Sequence, residues 1–506
     1  MQYDPRTVMP SILQAVRPWR ALSVLAVLGA LVWCTPRGFA AGEPVSSQAL
    51  PRWERGMLDI HQINTGTGDA AFFILPDGTT LLLDAGAGHR VEQVRSRYDA
   101  PPRPDATRRP GQWIARYIRR THPDGERGEL DYAMLTHFHG DHMGTLRPES
   151  PTSASGAYRL TGITDVAEEI RIRTMLDRGA PDYDFPAPSA DAGLRNYRAF
   201  LAWQTEHRGL RAERFVAGRA DQIVQRRAPG DFPDFRVRNI AANGQVWTGD
   251  GTTTRNRFPE GVLPSENNCS LAFRLDYGGF SYFNGGDMAG VPDAAVAGVS
   301  RASEPAWTEM ESAVAWATGP VDVHALNHHG TPDAANAFFL SILRPRIHIL
   351  STYASSQPGP DVLRRLQSDR VYPGPRDVFM TNWMWPGRRD HMVRLYGEAD
   401  AAWLVEQLNG IAASQGHVLV RVEPGGARYR VLVLDDSRED GAVRAVHGPY
   451  ESRRATPAAA ASPSRLGKRA DLHPPELDLG ALGLHRESSA VPLSTRTVLR
   501  GETGGW

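Results

Sequence analysis

The run Tyr132-Ala133-Met134-Leu135-Thr136 leads without a break into His137-Phe138-His139-Gly140-Asp141-His142. No other stretch restricts the fold as strongly. Four side chains able to ligate a metal fall within six positions, which neither a packed core nor a solvated loop requires. A lone histidine is more often a core or surface residue, and an HxH pair alone is ordinary. Imidazole and carboxylate are among the ligands zinc accepts. Alternate residues of an extended segment point to the same side, so His137 and His139 can share one metal. Asp141 and His142, where the chain turns into a helix, can take a second metal beside it. Gly140 is small enough to let the backbone pack close to the ions. A strand that opens directly into such a loop puts the chemistry at a strand end, as in layered α/β domains.

The surrounding pattern agrees. Leu58 to Gly86 reads as three short strands, with Pro76-Asp77-Gly78 as the turn between the second and third. Residues Gln112 to Arg120 place Trp113, Ile114, Tyr117 and Ile118 on one helical face. Further on, Leu271 to Phe283 predicts two strands about Tyr277-Gly278-Gly279, ending at Asn284-Gly285-Gly286-Asp287. Val321 to Asn327 predicts a strand that ends at His328-His329-Gly330. A helix (Ala335 to Leu343), a strand (Ile347 to Ser351) and a helix (Pro360 to Gln367) follow, then a hairpin of His417 to Val422 and Tyr429 to Leu434. Residues 145 to 260 show a helix from Ala192 to Glu206 and a hairpin around Asn243-Gly244, but no recognisable chemistry, and are expected to be an insertion or variable region.

The 506 residues carry a net formal charge of zero. Without a single-sign field there is no argument for a wholesale nucleic-acid binder, so no stable nucleic-acid complex is expected. Lys468 is the sole lysine, a bias that a GC-rich coding genome explains as readily as phosphate recognition does. At the start, Arg6, Arg17 and Arg20 precede an apolar run from Ala21 to Trp33 and then Gly38-Phe39-Ala40, the pattern of a cleaved signal peptide over residues 1–40. That run is too short to span roughly 30 Å of hydrocarbon as a helix, and Trp33 is too bulky for the usual lipoprotein site at Cys34. The mature chain is therefore expected to be periplasmic or secreted, with no membrane span. Only Cys269 then remains, so no intrachain disulfide framework forms. The domain is expected over 52–450. Residues 451–506, rich in Ala, Ser, Pro and Arg without period, are expected to be a disordered tail.

HFHGDH resembles the signature of the metallo-β-lactamase superfamily, and its companions occur in the family's order. Asp84 in LLLDAG resembles the aspartate that ends an early strand beneath the site, Asp287 in FNGGD the carboxylate that bridges two metals, and His328-His329-Gly330 the segment supplying the last histidine. NTGTGDAAFFILPDGTTLLLDAG, ENNCSLAFRLDYGGFSYFNGGD and NHHG are similar to the extracytoplasmic domain of the competence DNA-uptake proteins (ComEC) and to the secreted phosphorylcholine esterases. The similarity covers about Leu58 to Leu366. It implies an αββα sandwich within the α/β class, and two divalent ions, zinc first and manganese second. His137, His139, Asp141, His142, Asp287 and His329 are the implied ligands. In two places the chain departs from the pattern. The competence proteins usually have an aspartate where this chain has His139, and the further histidine of many superfamily enzymes is missing, Asn267 taking its place by position. An amide oxygen is a weaker zinc ligand than imidazole, which weakens the first metal site.

Two divalent ions against Asp141, Asp287 and one hydroxide would leave a net positive charge that favours an anionic substrate. Such a pair lowers the pKa of bound water toward neutrality and stabilises the oxygen that gains charge. His329 is taken as the ligand because Gly330 follows it, leaving His328 to hydrogen-bond that oxygen or the leaving group. Asp141, His328 and Asn267 are thus the candidate catalytic residues. The expected activity is hydrolysis of a phosphoester, first a phosphodiester. The alternatives are a lactone or β-lactam hydrolase of the same fold, and a metal-binding scaffold without turnover. Other features have plainer explanations: Cys269 as a core thiol, His324 as structural, and Asp182-Tyr183-Asp184 and Asn382-Trp383-Met384-Trp385 with His391 as packed loops or cleft walls.

Overall fold

The computed structural model describes residues 43–88, 99–290 and 306–453. The segment expected as a signal peptide lies outside the described residues, as does the expected tail beyond residue 453. In chain order come β1 (Glu43–Gln48), β2 (Leu58–Gln62), β3 (Ala71–Ile74), β4 (Thr80–Leu83), β5 (Leu130–Met134), β6 (Ile172–Asp177) and β7 (Arg211–Arg214). The next eight are β8 (Phe235–Ala242), β9 (Gln245–Trp247), β10 (Thr254–Asn256), β11 (Ala272–Tyr277), β12 (Phe280–Asn284), β13 (Val323–Ala325), β14 (Ile347–Leu350) and β15 (Asp377–Met380). The last are β16 (His417–Val422), β17 (Arg428–Leu434) and β18 (Val443–Glu451). Two mixed sheets result. One runs β1-β18-β17-β16-β2-β3-β4-β5-β6-β7, the other β10-β9-β8-β11-β12-β13-β14-β15.

The strands obey a two-residue period that decides which face each side chain joins. Phe73, Leu81, Leu83, Tyr132 and Met134 of the first sheet share one buried cluster with Phe273, Leu275, Tyr282, Val323 and Ile347 of the second. The intervening Phe72, Ile74, Leu82 and Ala133 point the other way, onto α1 (Pro110–Thr121), α3 (Gly162–Glu169) and α4 (Ala192–Arg208). On the second sheet, Phe283, Leu350, Val378 and Met380 meet α5 (Glu311–Thr318), α6 (Ala337–Leu343), α7 (Pro360–Gln367) and α9 (Glu398–Asn409). The layers are thus helices, sheet, sheet, helices. The sheets are joined by aromatic contacts, with the Phe73 ring 6.2 Å from Phe273 and 5.6 Å from Tyr282. Phe273→Ala, at a fully buried position, should therefore lower the unfolding free energy by about 3–5 kcal/mol. Urea denaturation checks it; a loss below 1 kcal/mol would mean that the cavity collapses.

Several elements differ from the sequence expectation. The stretch 145 to 260 supplies five strands, β6 to β10, to both sheets, so it is woven into the sandwich. β7 is largely exposed and shows no apolar alternation, and β10 is three residues long; neither carries a periodic signal. β18 contains Gly448-Pro449, ordinarily a break, yet pairs with β17 and β1. Beyond Trp385, α8 (Arg388–Tyr396) and α9 are joined through Gly397. Among the described residues no helix is long and apolar enough to cross a membrane.

Candidate metal centre

Parallel pairing places the chemistry. β4 and β5 are parallel neighbours in one sheet, and β12, β13 and β14 are parallel neighbours in the other. The segments leaving their carboxyl ends carry Asp84, the 137–142 loop, Asp287, the His328-His329 pair and Tyr353, so both sheets open onto one site.

Asp84 follows β4 in a left-handed conformation, φ 56°. Its carboxylate accepts from the Thr136 backbone N–H and hydroxyl, both at 2.8 Å, and lies 2.9 Å from His142 Nδ1. That contact fixes the His142 ring so that Nε2 faces the other donors, the way a carboxylate orients a ligating histidine. At Gly140 a Cβ would collide with the Thr145 hydroxyl. At Gly286, φ 55°, a Cβ would press on Thr136, so the turn that delivers Asp287 needs glycine.

Three donor groups form among the described residues; Asp69, Asp84 and His142 make one, and the other two share Asp287. Of those two, Asp141, His142, Asp287 and His329 make the first and His137, His139 and Asp287 the second, and within each the donor atoms lie within 4.8 Å of one another. In the first group, His142 Nε2 is 3.2 Å from His329 Nε2 and 3.2 Å from Asp287 Oδ1. His329 Nε2 is 3.4 Å from both Asp287 Oδ1 and Asp141 Oδ2. Zinc with bonds of about 2.0–2.1 Å in a tetrahedron requires ligand-to-ligand edges of about 3.3–3.4 Å. Four spacings, at 3.2–3.4 Å, match that requirement, whereas His142 Nε2 to Asp141 Oδ2 is longer at 3.9 Å. In the second group His137 Nε2 is 3.1 Å from His139 Nδ1 and 3.8 Å from Asp287 Oδ2.

Electrostatics tell the same story. Burial alone pushes His142 down, but Asp287, Asp84 and Asp141 carry it well above the ordinary imidazole value. Burial likewise lowers His329, yet Asp287 and Asp141 bring it to about 10. Burial raises Asp287 and Asp141, but the neighbouring histidines hold both well below the usual carboxylate range. His137, desolvated and facing His142, lies well below the ordinary value and is neutral. A cation is ligated by carboxylate and neutral imidazole, so an ion bound here would displace the protons that Asp287 and Asp141 favour on His142 and His329.

The HHG segment splits the histidines. His328 and His329 have φ 46° and 53°, a strained pair of left-handed residues. His329 is buried, with Nδ1 2.9 Å from the Ser351 carbonyl oxygen. His328 is 19% exposed at its side chain, with Nδ1 3.0 Å from Asp333 and Nε2 3.9 Å from Asp287. Asn267 Nδ2 lies 3.2 Å from His328 Nε2. Asn267 Oδ1 is buried and has no hydrogen-bond partner among the described residues, an orphaned oxygen donor that a cation would satisfy.

Three residues that the sequence did not single out complete the surroundings. Tyr353 donates its hydroxyl to Asp141 and packs edge-on against His329, ring centroids 5.0 Å apart. Glu266 accepts from the Phe138 backbone N–H at 2.8 Å and pairs with Arg178. Glu311 is fully buried and accepts from Asn327 at 3.0 Å and from the backbone N–H groups of Ala335 and Asn336, each at 2.7 Å, bracing the strained HHG turn. None has a sequence signal, because each acts through a contact made only on folding.

Burial pushes Glu311 up to about 7 against those hydrogen bonds. A carboxyl raised on folding binds its proton more tightly in the native state, so its contribution is present below the ordinary glutamate value and disappears as pH rises through 7. Relative to Glu311→Gln, wild-type protein should lose about 2–3 kcal/mol of unfolding free energy between about pH 5 and pH 8. Urea titrations of both proteins measure it; parallel pH profiles would remove the assignment.

The plainer features are structural. Cys269 is a free, buried thiol pushed up to about 12. His324 is buried among Phe283, Phe339 and His348 and lowered to about 3 by desolvation. Trp383 and Trp385 are 6% exposed and stack on the buried guanidinium of Arg388. Tyr183 donates its hydroxyl to buried Asp177 at 2.8 Å. No known family profile and no curated protein sequence matches the chain.

Proposed function

We propose that the chain is an exported hydrolase of the metallo-β-lactamase superfamily that holds two divalent ions, zinc first, and cleaves a phosphoester, in the first instance a phosphodiester. The observation that carries this is the pair of donor groups sharing Asp287, with four donor-to-donor spacings of the first at 3.2–3.4 Å. His137, His139 and Asp287 would hold one ion, with the Asn267 oxygen available to it. Asp141, His142, Asp287 and His329 would hold the other. When bound, the ions supply a water that ionises near neutral pH and a Lewis acid for the oxygen that gains charge.

The chain's own groups do the rest. Asp84 and the Ser351 carbonyl orient the His142 and His329 rings. Asp333 faces His328 Nδ1 and leaves Nε2 directed toward Asp287 and Asn267, where it can hold a proton for the departing or charge-gaining oxygen. Support for the phosphodiester comes from the expected net positive charge of the loaded site and from the similarity of NTGTGDAAFFILPDGTTLLLDAG and NHHG to phosphoesterase-containing relatives. The expected export rests on the segment before Ala40. The test is an assay of zinc-loaded protein with a bis-aryl phosphodiester, a lactone and a cephalosporin. Metal-dependent cleavage of the diester is the expected result. Turnover of only the lactone or cephalosporin would transfer the site to carboxyl chemistry, and zinc binding with no turnover of any would make it a scaffold.

A further inference from the structure

A groove of about 540 Å³ opens beside His139, bounded by the 138–146 segment on one side and residues 183–194 and 263–266 on the other. It is continuous with the metal centre, because His139 belongs to both. Its walls are mostly apolar: Phe138, Met143, Tyr183, Phe185 and Leu263 line it. Leu263 is 72% exposed and Phe185 40%, among the most exposed large apolar side chains of the described residues. Such side chains on a concave surface mark a place where something apolar is bound.

The charges in the groove are already engaged. Arg178 donates Nε to Glu266 Oε1 at 2.7 Å, makes a second bond to the other carboxylate oxygen, and lies over the Phe138 ring at 4.7 Å. Asp191 accepts from the Leu194 backbone N–H at the start of α4, 2.7 Å away. The Tyr183 hydroxyl is spent on Asp177, so only its ring is offered. Among the described residues that line the groove, Arg178 is the only Arg or Lys and is held by Glu266, so none is left over for a second phosphate or carboxylate, and Asp191 would repel one. The volume admits a fused bicyclic ring or an alkyl chain of similar size, within the range of small-molecule sites.

We infer that this groove is the subsite for an uncharged, apolar substituent of the substrate, of aryl size, whose scissile bond lies at the ions beyond His139. The inference rests on the hydrolase proposal. It narrows the substrate class to esters that carry a bulky apolar group on one side, and sets aside substrates with charge on both sides.

The test uses full-length zinc-loaded protein and two phosphodiesters with the same p-nitrophenolate leaving group, one methyl and one 1-naphthyl. Filling an apolar pocket should raise kcat/KM for the naphthyl diester at least about tenfold over the methyl diester. Leu263→Ser and Phe185→Ser should bring that ratio toward one while the methyl diester is cleaved at the wild-type rate. Leu263 is solvent-facing, so its replacement leaves the core intact. A naphthyl-to-methyl ratio near one in wild type, or a ratio that both variants preserve, would overturn the inference. A second readout needs no turnover: binding of 1-naphthylphosphonate, followed by its fluorescence. If neither diester is cleaved but the phosphonate binds and Leu263→Ser weakens it at least about tenfold, the groove stands and the phosphodiesterase proposal falls. Phosphonate binding that is absent, or the same in wild type and both variants, would overturn the groove whatever is cleaved.

Discussion

Asp287→Ala is expected to strip the purified protein of most of its metal and of its hydrolytic activity together. Wild type should hold about one to two equivalents of zinc or manganese. Asp287 is 3% exposed and belongs to two donor groups, so its removal takes an anionic ligand from each and leaves two cations facing one another unshielded. His137→Ala should remove only the ion shared with His139, and activity should again disappear, by more than the about 10²–10³ that a single oriented donor contributes. Asp287→Asn keeps the shape and deletes the charge, so it separates metal loss from misfolding. Metal analysis is the deciding measurement: equal content in wild type, Asp287→Ala and Asp287→Asn would end the assignment of Asp287 as a shared ligand. Chelation of wild type should reproduce the alanine phenotype, and added zinc should reverse it.

The adjacent histidines should behave as opposites. His329 sits 3.2–3.4 Å from three other donors, with its second nitrogen fixed by the Ser351 carbonyl, so His329→Asn should lose metal. His328 stands at the rim, facing Asp333 with one nitrogen and Asn267 with the other. His328→Asn should therefore keep nearly all its metal and lose about 10²–10³ in turnover. Asparagine is the better replacement at both positions, because it tolerates the left-handed backbone at φ 46° and 53°. A His328 variant that loses metal while the His329 variant keeps it would exchange the two roles. Unchanged turnover in the His328 variant would remove it from the proposed chemistry.

Much of this was legible before folding was considered. The three short strands expected over Leu58 to Gly86 are β2, β3 and β4, and the helical period placed Trp113, Ile114, Tyr117 and Ile118 on one face, where all four are buried. The division of the 137–142 loop into one pair for each donor group also follows from local geometry, since His137 and His139 are two residues apart on extended chain and Asp141 and His142 lie past the turn. Asp287 and the HHG segment were reached only through the order of motifs, because a lone aspartate after two glycines carries no chemical signal of its own. Within 145–260 the hairpin around Asn243-Gly244 was legible and is β8–β9, but β6, β7 and β10 were not: short or exposed strands such as β7 and β10 bury too little to impose alternation.

The sequence by itself determined the donor types, their spacing within one loop, and the helical face of residues 112–120. Those properties depend on residue identity and on separations of two to four positions, which backbone geometry converts directly into direction. The tertiary structure alone decided which distant residues share a donor group, that His329 and not His328 enters it, that Glu311 braces the turn from a separate helix, and that an apolar groove opens beside His139. Ligation and bracing require atoms about 3 Å apart. For groups as far separated as Asp141 and His329, that closeness comes from the pairing of parallel strands in two sheets, which no local pattern records.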